Sequence, residues 1–466
     1  MKRIIFIALA FAALCGSLEA RNVTGKVVSG SKKLSGVVVT DGTNFTQTKK
    51  NGTFSFDIKD DADFVYIITP SGYVAEWSSG VPAFYQSAEG KTEFVFDLLK
   101  TVSPDVYNII AVGDPQPRSD EQFEEFAGVP LTDIAQTAAA LEGFTVGVPL
   151  GDVCFDKLHL QVRWKEEIVR AGVPFYPSIG NHDHDRKYTT EKEAIKAYRK
   201  NLGPENYAVF LGGDIMIVLD NIIYDGGRSK YKEGYTQEVV DWVNGLMKYV
   251  PATADIYVVQ HSPLNGRYYG KMVIRYQEML DALKGHKVSF FSGHNHTSGN
   301  FEYAENVREH NIAAICGTWW DTYHCTDGTP RGYKVFTKKD GLLSWYYKSI
   351  GRDRTFQFEI YKPGECRNNP DCIVVNVWDY DPRWRIELFE DGVYTGLLQQ
   401  VDEYSPLHTR DLEAKYKALG REPSDYRRTR LAKHYFAIKP SADTKECTIQ
   451  VTDRFGNVMK ETVLLK

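Results

Sequence analysis

Strand-like apolar runs alternate with amphipathic helical stretches through the middle of this chain. The runs occupy 107–112, 145–150, 175–179, 208–211, 215–219, 256–259 and 288–292, and the helical stretches lie near 131–141, 158–171, 237–249 and 274–283. Such alternation is typical of an α/β fold, in which helices flank a sheet. Ligands collect beyond the carboxyl ends of the strands in such sheets. Polar residues that directly follow these runs are therefore the first candidates for a functional site.

The two ends of the chain have a different pattern. Short alternating strands with turn signals fill residues 21–103, where Lys50-Asn51-Gly52 leads into an apolar run as in a hairpin. The last hundred residues also read as strands, interrupted by a charged, helix-compatible stretch at 402–433 that we interpret as a solvated insertion. We therefore predict an N-terminal β-sandwich domain at 21–103, a core at 104–305 and a C-terminal β-rich domain at 306–466.

The first twenty residues predict a secretory signal peptide. Lys2 and Arg3 precede an apolar run that is too short to span a bilayer, and small residues follow up to Ala20. Lipidation of Cys15 is the lesser alternative, because bulky Leu14 stands just before it. We expect an exported protein, periplasmic or at the cell surface or extracellular, without a transmembrane segment in the mature chain.

Charge and cysteine content narrow the possible partners and compartments. A formal net charge of -5 indicates no basic surface for nucleic acid, so nucleic acid is not an expected partner. Apart from Cys15, six cysteines remain, and Cys316 with Cys325 and Cys366 with Cys372 could pair locally in an oxidising compartment. Sequence does not determine the connectivity, and buried free thiols are an equal alternative.

Five polar clusters stand at the ends of strand-like runs in the central region. They are Gly113-Asp114-Pro115-Gln116, Gly151-Asp152, Gly180-Asn181-His182-Asp183, Gln260-His261-Ser262-Pro263 and Gly293-His294-Asn295-His296. Carboxylate, imidazole and amide groups are metal ligands, and glycine allows the tight turn and close approach that a metal requires. Each cluster alone is also compatible with an ordinary turn. Their recurrence at successive strand ends favours a metal centre.

The set resembles the signature of the calcineurin-like metallophosphoesterases. That signature consists of Asp-x-His, Gly-Asp, Gly-Asn-His followed by Asp or Glu, a later lone His, and Gly-His-x-His. The resemblance covers roughly residues 105–300, and the flanking β domains are similar to those of three-domain bacterial members. It implies an α/β protein whose β-sandwich core is flanked by helices and lies between N-terminal and C-terminal β-sandwich domains.

The resemblance also implies a site with two divalent metal ions, which could be Mn, Fe, Zn or Mg. One ion would be held by Asp114, Gln116, Asp152 and His296. Asp152 would bridge to a second ion, held also by Asn181, His261 and His294. His182 would face the substrate, oriented by Asp183. Gln116 stands where the family motif usually has His, and an amide is a poorer donor than imidazole to zinc or iron, so the metal identity stays open.

The expected activity is hydrolysis of a phosphate monoester or diester. Two metal ions can generate a bridging hydroxide that attacks phosphorus directly, so no covalent phospho-enzyme is expected. His182, if protonated, could hydrogen-bond the phosphoryl oxygens or protonate the leaving group. The alternative is a non-catalytic or weakly active surface protein that keeps the fold and binds glycan or protein.

Residues that shape the substrate are less clearly indicated. Arg267 and Asn295 lie next to the ligand clusters and are candidate substrate-binding residues. The loop 225–234 carries Arg228, Lys230 and Lys232, which, like Arg267, could meet a second phosphate or a negative leaving group. For all four a solvated surface loop is the favoured interpretation. The aromatic stretch after the last histidines either forms a stacking wall over the cleft or packs against the C-terminal domain. Its members are Trp319, Trp320, Tyr323 and His324.

Overall fold

The computed structural model describes residues 20–102, 105–227 and 230–465. The predicted signal peptide, apart from Ala20, lies outside the described residues, as do Cys15 and Arg228. Within the described ranges, no helix has the length and apolar character needed to cross a membrane.

The N-terminal region forms two facing β-sheets, as predicted. The strands are β1 (Ala20–Ser29), β2 (Lys32–Lys33), β3 (Val38–Thr40), β4 (Phe45–Gln47), β5 (Thr53–Lys59), β6 (Phe64–Ile67), β7 (Tyr73–Ala75), β8 (Tyr85–Ser87) and β9 (Glu93–Lys100). One sheet contains β1, β2, β5, β7 and β9, and the other has the order β4-β3-β6-β8. In β9, Phe94, Phe96 and Leu98 are buried and alternate with exposed residues, so one face of the strand belongs to the core.

Two further sheets form the centre of the molecule. Their strands are β10 (Tyr107–Val112), β11 (Phe144–Pro149), β12 (Tyr207–Leu211), β13 (Asp214–Val218), β16 (Ile256–Val259), β17 (Val288–Ser292), β18 (Gly299–Ala304), β19 (Val307–Asn311), β20 (Gly332–Lys339) and β21 (Leu342–Ser349), and a separate ribbon pairs β14 (Ile222–Tyr224) with β15 (Tyr231–Glu233). The sheet orders are β11-β10-β20-β21 and β12-β13-β16-β17-β19-β18. The core sheets thus extend past residue 305, where sequence predicted a boundary, because β19 to β21 pair with strands far earlier in the chain.

Helices flank this pair of sheets. They are α1 (Asp120–Ala127), α2 (Val129–Ala140), α3 (His159–Ile168), α4 (Glu191–Ala194), α5 (Lys196–Leu202), α6 (Gln237–Met247) and α7 (Tyr276–Ala282). Helix α6 begins where the side chain of Thr236 accepts a hydrogen bond from the backbone of Val239, and its apolar face, including Val243 and Leu246, is buried. The helix-flanked α/β core predicted from sequence is therefore confirmed.

One predicted strand of the core does not form a ladder. Residues 175–179 are extended beside β11 but make only isolated bridges to it, at Phe175 and Ser178. Pro174 and Pro177 have no backbone N–H to donate, which interrupts the hydrogen-bond ladder. The segment still delivers Gly180 to the same edge as the true strands.

The C-terminal region forms a second sandwich, as predicted. Its elements are β22 (Glu359–Tyr361), β23 (Ile373–Asn376), β24 (Arg385–Glu390), β25 (Val393–Leu397), β26 (Gln399–Glu403), α8 (Pro406–Ala418), β27 (Ala432–Ile438), β28 (Glu446–Thr452) and β29 (Val458–Leu464). The sheets have the orders β22-β23-β27-β26 and β25-β24-β28-β29. Val375, Phe436, Leu388 and Ile449 from the two sheets form their common core.

The six cysteines of the described ranges are all free thiols. Neither of the two local pairings considered from sequence forms a disulfide. Cys316 and Cys325 are fully buried, which is the environment usual for an unpaired cysteine.

Candidate metal centre

The five polar clusters meet at one edge of the two core sheets. Four of them follow β10, β11, β16 and β17, and the fifth follows the extended segment 175–179. Strands β10 and β11 run parallel, as do β16 and β17, so their carboxyl ends lie together within each sheet. All seven predicted metal ligands are buried there: Asp114, Gln116, Asp152, Asn181, His261, His294 and His296.

The backbone at these ligands is strained. Five of them have positive φ angles, between 39° and 66°, in the left-handed region that non-glycine residues seldom adopt: Asp114, Gln116, Asp152, His294 and His296. Such conformations persist only where the surrounding structure enforces them, and they cluster at functional sites. The strain is therefore independent support for a functional site at this edge.

Glycines next to the ligands allow this close packing. A Cβ atom at Gly151, where φ is 83°, would lie 2.5 Å from Nδ1 of His261. A Cβ at Gly180 would lie 2.3 Å from Oδ1 of Asp152. These glycines are required because the ligand side chains of other loops pass directly over them.

Four ligand atoms converge on one side of the centre, which we call the His261 side. Nε2 of His261 lies 3.1 Å from Oδ1 of Asn181, 3.0 Å from Nδ1 of His294 and 3.4 Å from Oδ2 of Asp152. Nδ1 of His261 lies 2.7 Å from the carbonyl oxygen of Leu150, so Nδ1 carries the proton and Nε2 is the atom available to a metal. The arrangement fits a divalent cation between the four side chains.

The other side of the centre, which we call the Gln116 side, contains Asp114, Gln116 and His296. Nε2 of His296 lies 3.5 Å from Oδ1 of Asp114, and the Gln116 amide donates a hydrogen bond of 2.5 Å to Oδ2 of Asp152. Oδ1 of Asp114 and Oε1 of Gln116 are buried and accept no hydrogen bond from the described residues. A buried oxygen without a partner costs about 1–3 kcal/mol, and a cation would remove that cost. The donors present on this side therefore also fit a metal ion.

The electrostatic environment of the His261 side attracts positive charge. Burial alone would lower the pKa of His261, but the carboxylate of Asp152 outweighs burial and raises that pKa to about 9. Burial would in turn raise the pKa of Asp152, yet the imidazoles of His261 and His182 hold it well below its ordinary value. In His294 burial dominates and lowers the pKa.

His182 lines the cleft, but its carboxylate partner is Asp156 rather than the predicted Asp183. Nδ1 of His182 lies 2.8 Å from Oδ1 of Asp156, which also forms an ion pair with Arg186. The ring of His182 stacks on Phe155 at 3.9 Å between centroids. Asp156 was not predicted, because nothing in the sequence distinguishes it from other acidic loop residues.

Asp183 stabilises the backbone of the ligand loops. Its buried carboxylate accepts hydrogen bonds from the backbone N–H groups of Gly180, Val153 and Cys154 and from the side chain of Gln161. Burial raises the pKa of Asp183 to about 6, with a further contribution from Asp152. The prediction that Asp183 orients His182 is thus corrected, since the side chain points back into the protein and ties two ligand loops together.

Glu233 is a second residue that sequence reasoning missed. Its Oε1 lies 3.1 Å from Nε2 of His294, and its Oε2 accepts a 2.7 Å hydrogen bond from the backbone of Arg267. A carboxylate on the far nitrogen of a histidine fixes the ring and increases its basicity as a metal ligand. The predicted loop 225–234 therefore contributes an acidic residue to the site as well as one cation, Lys232.

The centre opens into a cavity of about 680 Å³. Its rim includes the cations Lys232, Arg267 and Lys271, and an aromatic wall formed by Trp319 and Tyr426. Arg267 thus occupies a position suited to substrate binding. Asn295 does not line the cavity, because its Oδ1 accepts a hydrogen bond from the backbone of Tyr268 and so holds a neighbouring loop.

The aromatic stretch after the last histidines serves both roles considered from sequence. Trp319 stacks on His296 at 4.5 Å and lines the cavity, whereas Trp320 is buried and donates a hydrogen bond to the carbonyl of Pro115. Tyr323 and His324 lie away from the cavity, where the hydroxyl of Tyr323 donates to the carbonyl of Ile350. The stretch 402–433, interpreted as a solvated insertion, also supplies Tyr426 to the cavity.

Three family models match successive parts of the chain. They describe the N terminal of calcineurin-like phosphoesterase at residues 21–101, the calcineurin-like phosphoesterase itself at 107–298, and the C terminal of calcineurin-like phosphoesterase at 309–459. The chain therefore belongs to the calcineurin-like phosphoesterases. It is a metal-dependent phosphoric ester hydrolase that uses two divalent metal ions.

The solved structures that this chain is similar to resemble it only distantly. A dimetal phosphatase from Danio rerio is 12% identical, with a TM-score of 0.39, and the match covers 52% of this chain and 96% of that one. A 5'-nucleotidase precursor from Thermus thermophilus is 13% identical, with a TM-score of 0.32, over 53% of this chain and 54% of that one. A purple acid phosphatase from yellow lupin, Lupinus luteus, is 12% identical, with a TM-score of 0.37, over 68% and 67%. Among curated proteins, none matches the chain.

Proposed function

We propose that this protein is an exported phosphoesterase whose substrate is a phosphate monoester or diester with a second negative charge near the scissile bond. The observation that carries the proposal is the convergence of seven buried ligand side chains beneath a single cavity with a cationic rim. Asp114, Gln116, Asp152 and His296 are proposed to hold one ion, and Asn181, His261 and His294 to hold the other together with Asp152.

Two divalent ions held by these residues would supply a nucleophilic water of lowered pKa, about 7, and positive charge for the phosphoryl oxygens. The chain's own residues contribute binding and orientation. The carboxylates of Asp114 and Asp152 offset only part of the charge of two cations, so the centre attracts an oxyanion. Lys232, Arg267 and Lys271 on the rim would bind a further anionic group of the substrate.

His182 is proposed to act on the substrate. The ion pair between Asp156 and Arg186 holds Nδ1 of its ring, and Phe155 supports one ring face. Nε2 is then the atom proposed to hydrogen-bond a phosphoryl oxygen or to transfer a proton to the leaving oxygen.

Export is proposed from the signal-like first twenty residues. N-terminal sequencing of protein recovered from the culture medium or periplasm would show a mature chain that begins close to residue 21. Recovery of the intact Met1 terminus from the cytoplasmic fraction alone would contradict export.

The alternative of a non-catalytic binding module is not favoured. That alternative assumes that Gln116, which stands where the family motif usually has His, is too poor a ligand to hold a metal ion. The amide of Gln116 lies among the other ligands, and its Oε1 is one of the two buried oxygens that accept no hydrogen bond from the described residues.

The decisive experiment is a panel of phosphate monoesters and diesters with neutral or anionic leaving groups. The enzyme is stripped with a chelator and then reloaded separately with Mn²⁺, Zn²⁺, Fe²⁺ or Mg²⁺. We expect activity only after reloading, and a higher kcat/KM for substrates with an anionic group. Undiminished activity of stripped protein whose metal content is zero would contradict the proposal.

A further inference from the structure

A second group of metal-capable side chains lies beside the catalytic centre. It consists of His184, Glu191 and Asp220, each of which places one ligand atom within 4.8 Å of the other two. His184 follows the loop that carries Asn181, Glu191 begins α4, and Asp220 follows β13. None of the three belongs to the ligand set described above, and no step of the proposed reaction uses them.

The hydrogen bonds of His184 show that a positive charge is required here. Nδ1 of His184 lies 3.0 Å from the carbonyl oxygen of Gly180, which can only accept, so Nδ1 carries a proton. In a neutral ring Nε2 then has a lone pair, and it lies 3.0 Å from Oε1 of Glu191. A bare nitrogen and a carboxylate oxygen at this distance repel each other unless a proton or a metal ion lies between them.

The local charge balance indicates the same need. The side chain of His184 is fully buried, and Glu191 is 34% exposed. Arg199, a basic side chain that interacts electrostatically with Asp220, already forms ion pairs with Glu205 and Asp63. Burial, and then the charge of Glu191, raise the pKa of Asp220 to about 8. Burial would lower the pKa of His184, but Glu191 outweighs burial and raises it. Two carboxylates therefore face one imidazole, an arrangement that calls for a proton or a metal ion between them.

The carboxylates are oriented as metal ligands usually are. The second oxygen of Glu191 accepts a 2.9 Å hydrogen bond from the backbone of Tyr224, and Asp220 accepts one of 2.9 Å from the backbone of Ile222. The ring of Tyr224 stacks on His184 at 5.0 Å. In metal sites, hydrogen-bond partners behind the ligands fix the orientation of the ligand side chains. The Nδ1–H group of His184, which donates to the carbonyl of Gly180, is a partner of the same kind.

We infer that His184, Glu191 and Asp220 bind a third divalent cation, of the class that accepts mixed imidazole and carboxylate ligands, such as zinc. Three protein ligands with water at the partly exposed Glu191 side complete a coordination sphere that zinc accepts.

The role of this cation is structural. Through His184 it braces the loop that carries Asn181. Through Asp220 it braces Asn221, whose Oδ1 accepts hydrogen bonds from the backbone of His261 and Ser262. One ion thus supports two of the loops that hold the catalytic centre.

Metal stoichiometry tests the inference directly. The stripped full-length protein is dialysed against Zn²⁺, and bound zinc is counted by elemental analysis. We expect Glu191→Gln and His184→Gln to bind one equivalent less than the unsubstituted protein. The control is Glu193→Gln on the same helix, whose side chain accepts a hydrogen bond from Thr190 and does not belong to the group of three, and it should bind the full amount. Equal zinc content in all four proteins would overturn the inference.

A second measurement keeps the test independent of the catalytic centre and of folding. The double variant His261→Ala/His294→Ala should retain one tightly bound zinc, and addition of Glu191→Gln should remove it. Zinc should also raise the melting temperature of the double variant by a few degrees, and this rise should vanish with Glu191→Gln. If zinc raises the melting temperature of neither the double variant nor its Glu191→Gln derivative, and nitrogen NMR shows both ring nitrogens of His184 protonated, a proton lies between His184 and Glu191. The inference is then wrong.

Discussion

The two sides of the catalytic centre differ in how they are built. On the His261 side, the His294 imidazole, the Asn181 amide oxygen and the Asp152 carboxylate lie within 3.0–3.4 Å of Nε2 of His261. On the Gln116 side, two oxygens accept no hydrogen bond from the described residues, and Nε2 of His296 lies 3.5 Å from Oδ1 of Asp114. Imidazole suits zinc, iron and similar metals, whereas amide and carboxylate oxygens suit harder ions. Because the donors differ, we expect the two sides to bind metal ions with different affinities and to prefer different elements.

The largest effect should come from removing the charge that the two sides share. Asp152→Asn keeps the size of the side chain but removes the carboxylate that faces both His261 and Gln116. We expect both ions to be lost and kcat/KM to fall by at least about 10³-fold, which corresponds to about 4 kcal/mol of lost transition-state stabilisation, because the metal ions stabilise the charge on the phosphoryl group. Elemental analysis and kinetics on one sample provide the check. Retention of both ions would show that Asp152 does not bridge.

Substitution of His182 should have the second-largest effect and should separate proton transfer from metal binding. His182→Ala should keep both ions and lower kcat by about 10²-fold, because a positioned acid is lost while the ligand set is intact. Asp156→Asn should give a smaller loss of the same kind, since it disturbs only the orientation of the ring. Metal content and kcat measured on the same samples show whether the loss of rate comes with a loss of metal. Loss of metal from His182→Ala would mean that His182 is itself a ligand.

A third substitution probes the His261 side alone. Glu233→Gln leaves a neutral group against Nε2 of His294, and we expect metal affinity on that side to weaken by about 10–100-fold. Competitive titration with a chromophoric chelator measures each affinity. The exposed Glu278, changed to Gln, is the matched control. Equal weakening of both ions would show that the two sides are coupled rather than separate.

The smallest effect should come from repairing the Gln116 side. Gln116→His replaces the amide by the imidazole usual in the family and should strengthen zinc binding there by about 10-fold, about 1.4 kcal/mol. Binding on the His261 side should stay unchanged. Isothermal titration of the stripped protein with zinc distinguishes the two steps. If Gln116→His weakened zinc binding, the cavity would be shaped for the amide and a harder ion.

Several features of the fold could be predicted from local pattern alone. Strand alternation, turn residues and amphipathic helices depend on neighbours a few positions apart, so the two β-sandwiches and the α/β core were recognisable. Strands β19 to β21 were assigned to the C-terminal domain because their partners, β10 and β17, lie far away in sequence. The apolar character of residues 175–179 predicts a strand. Pro174 and Pro177, which cannot donate backbone hydrogen bonds, explain why no ladder forms there.

The candidate ligand set of the centre could be predicted from sequence alone, because metal-capable side chains, most of them next to a glycine, recur at the ends of the runs. Tertiary structure alone decided which carboxylates serve those ligands. Asp156 replaced Asp183 beside His182, Glu233 came to lie against His294, and His184 met Glu191 and Asp220. Such contacts are made between loops, and loop conformation depends on packing over the whole edge of the sheets rather than on nearby residues.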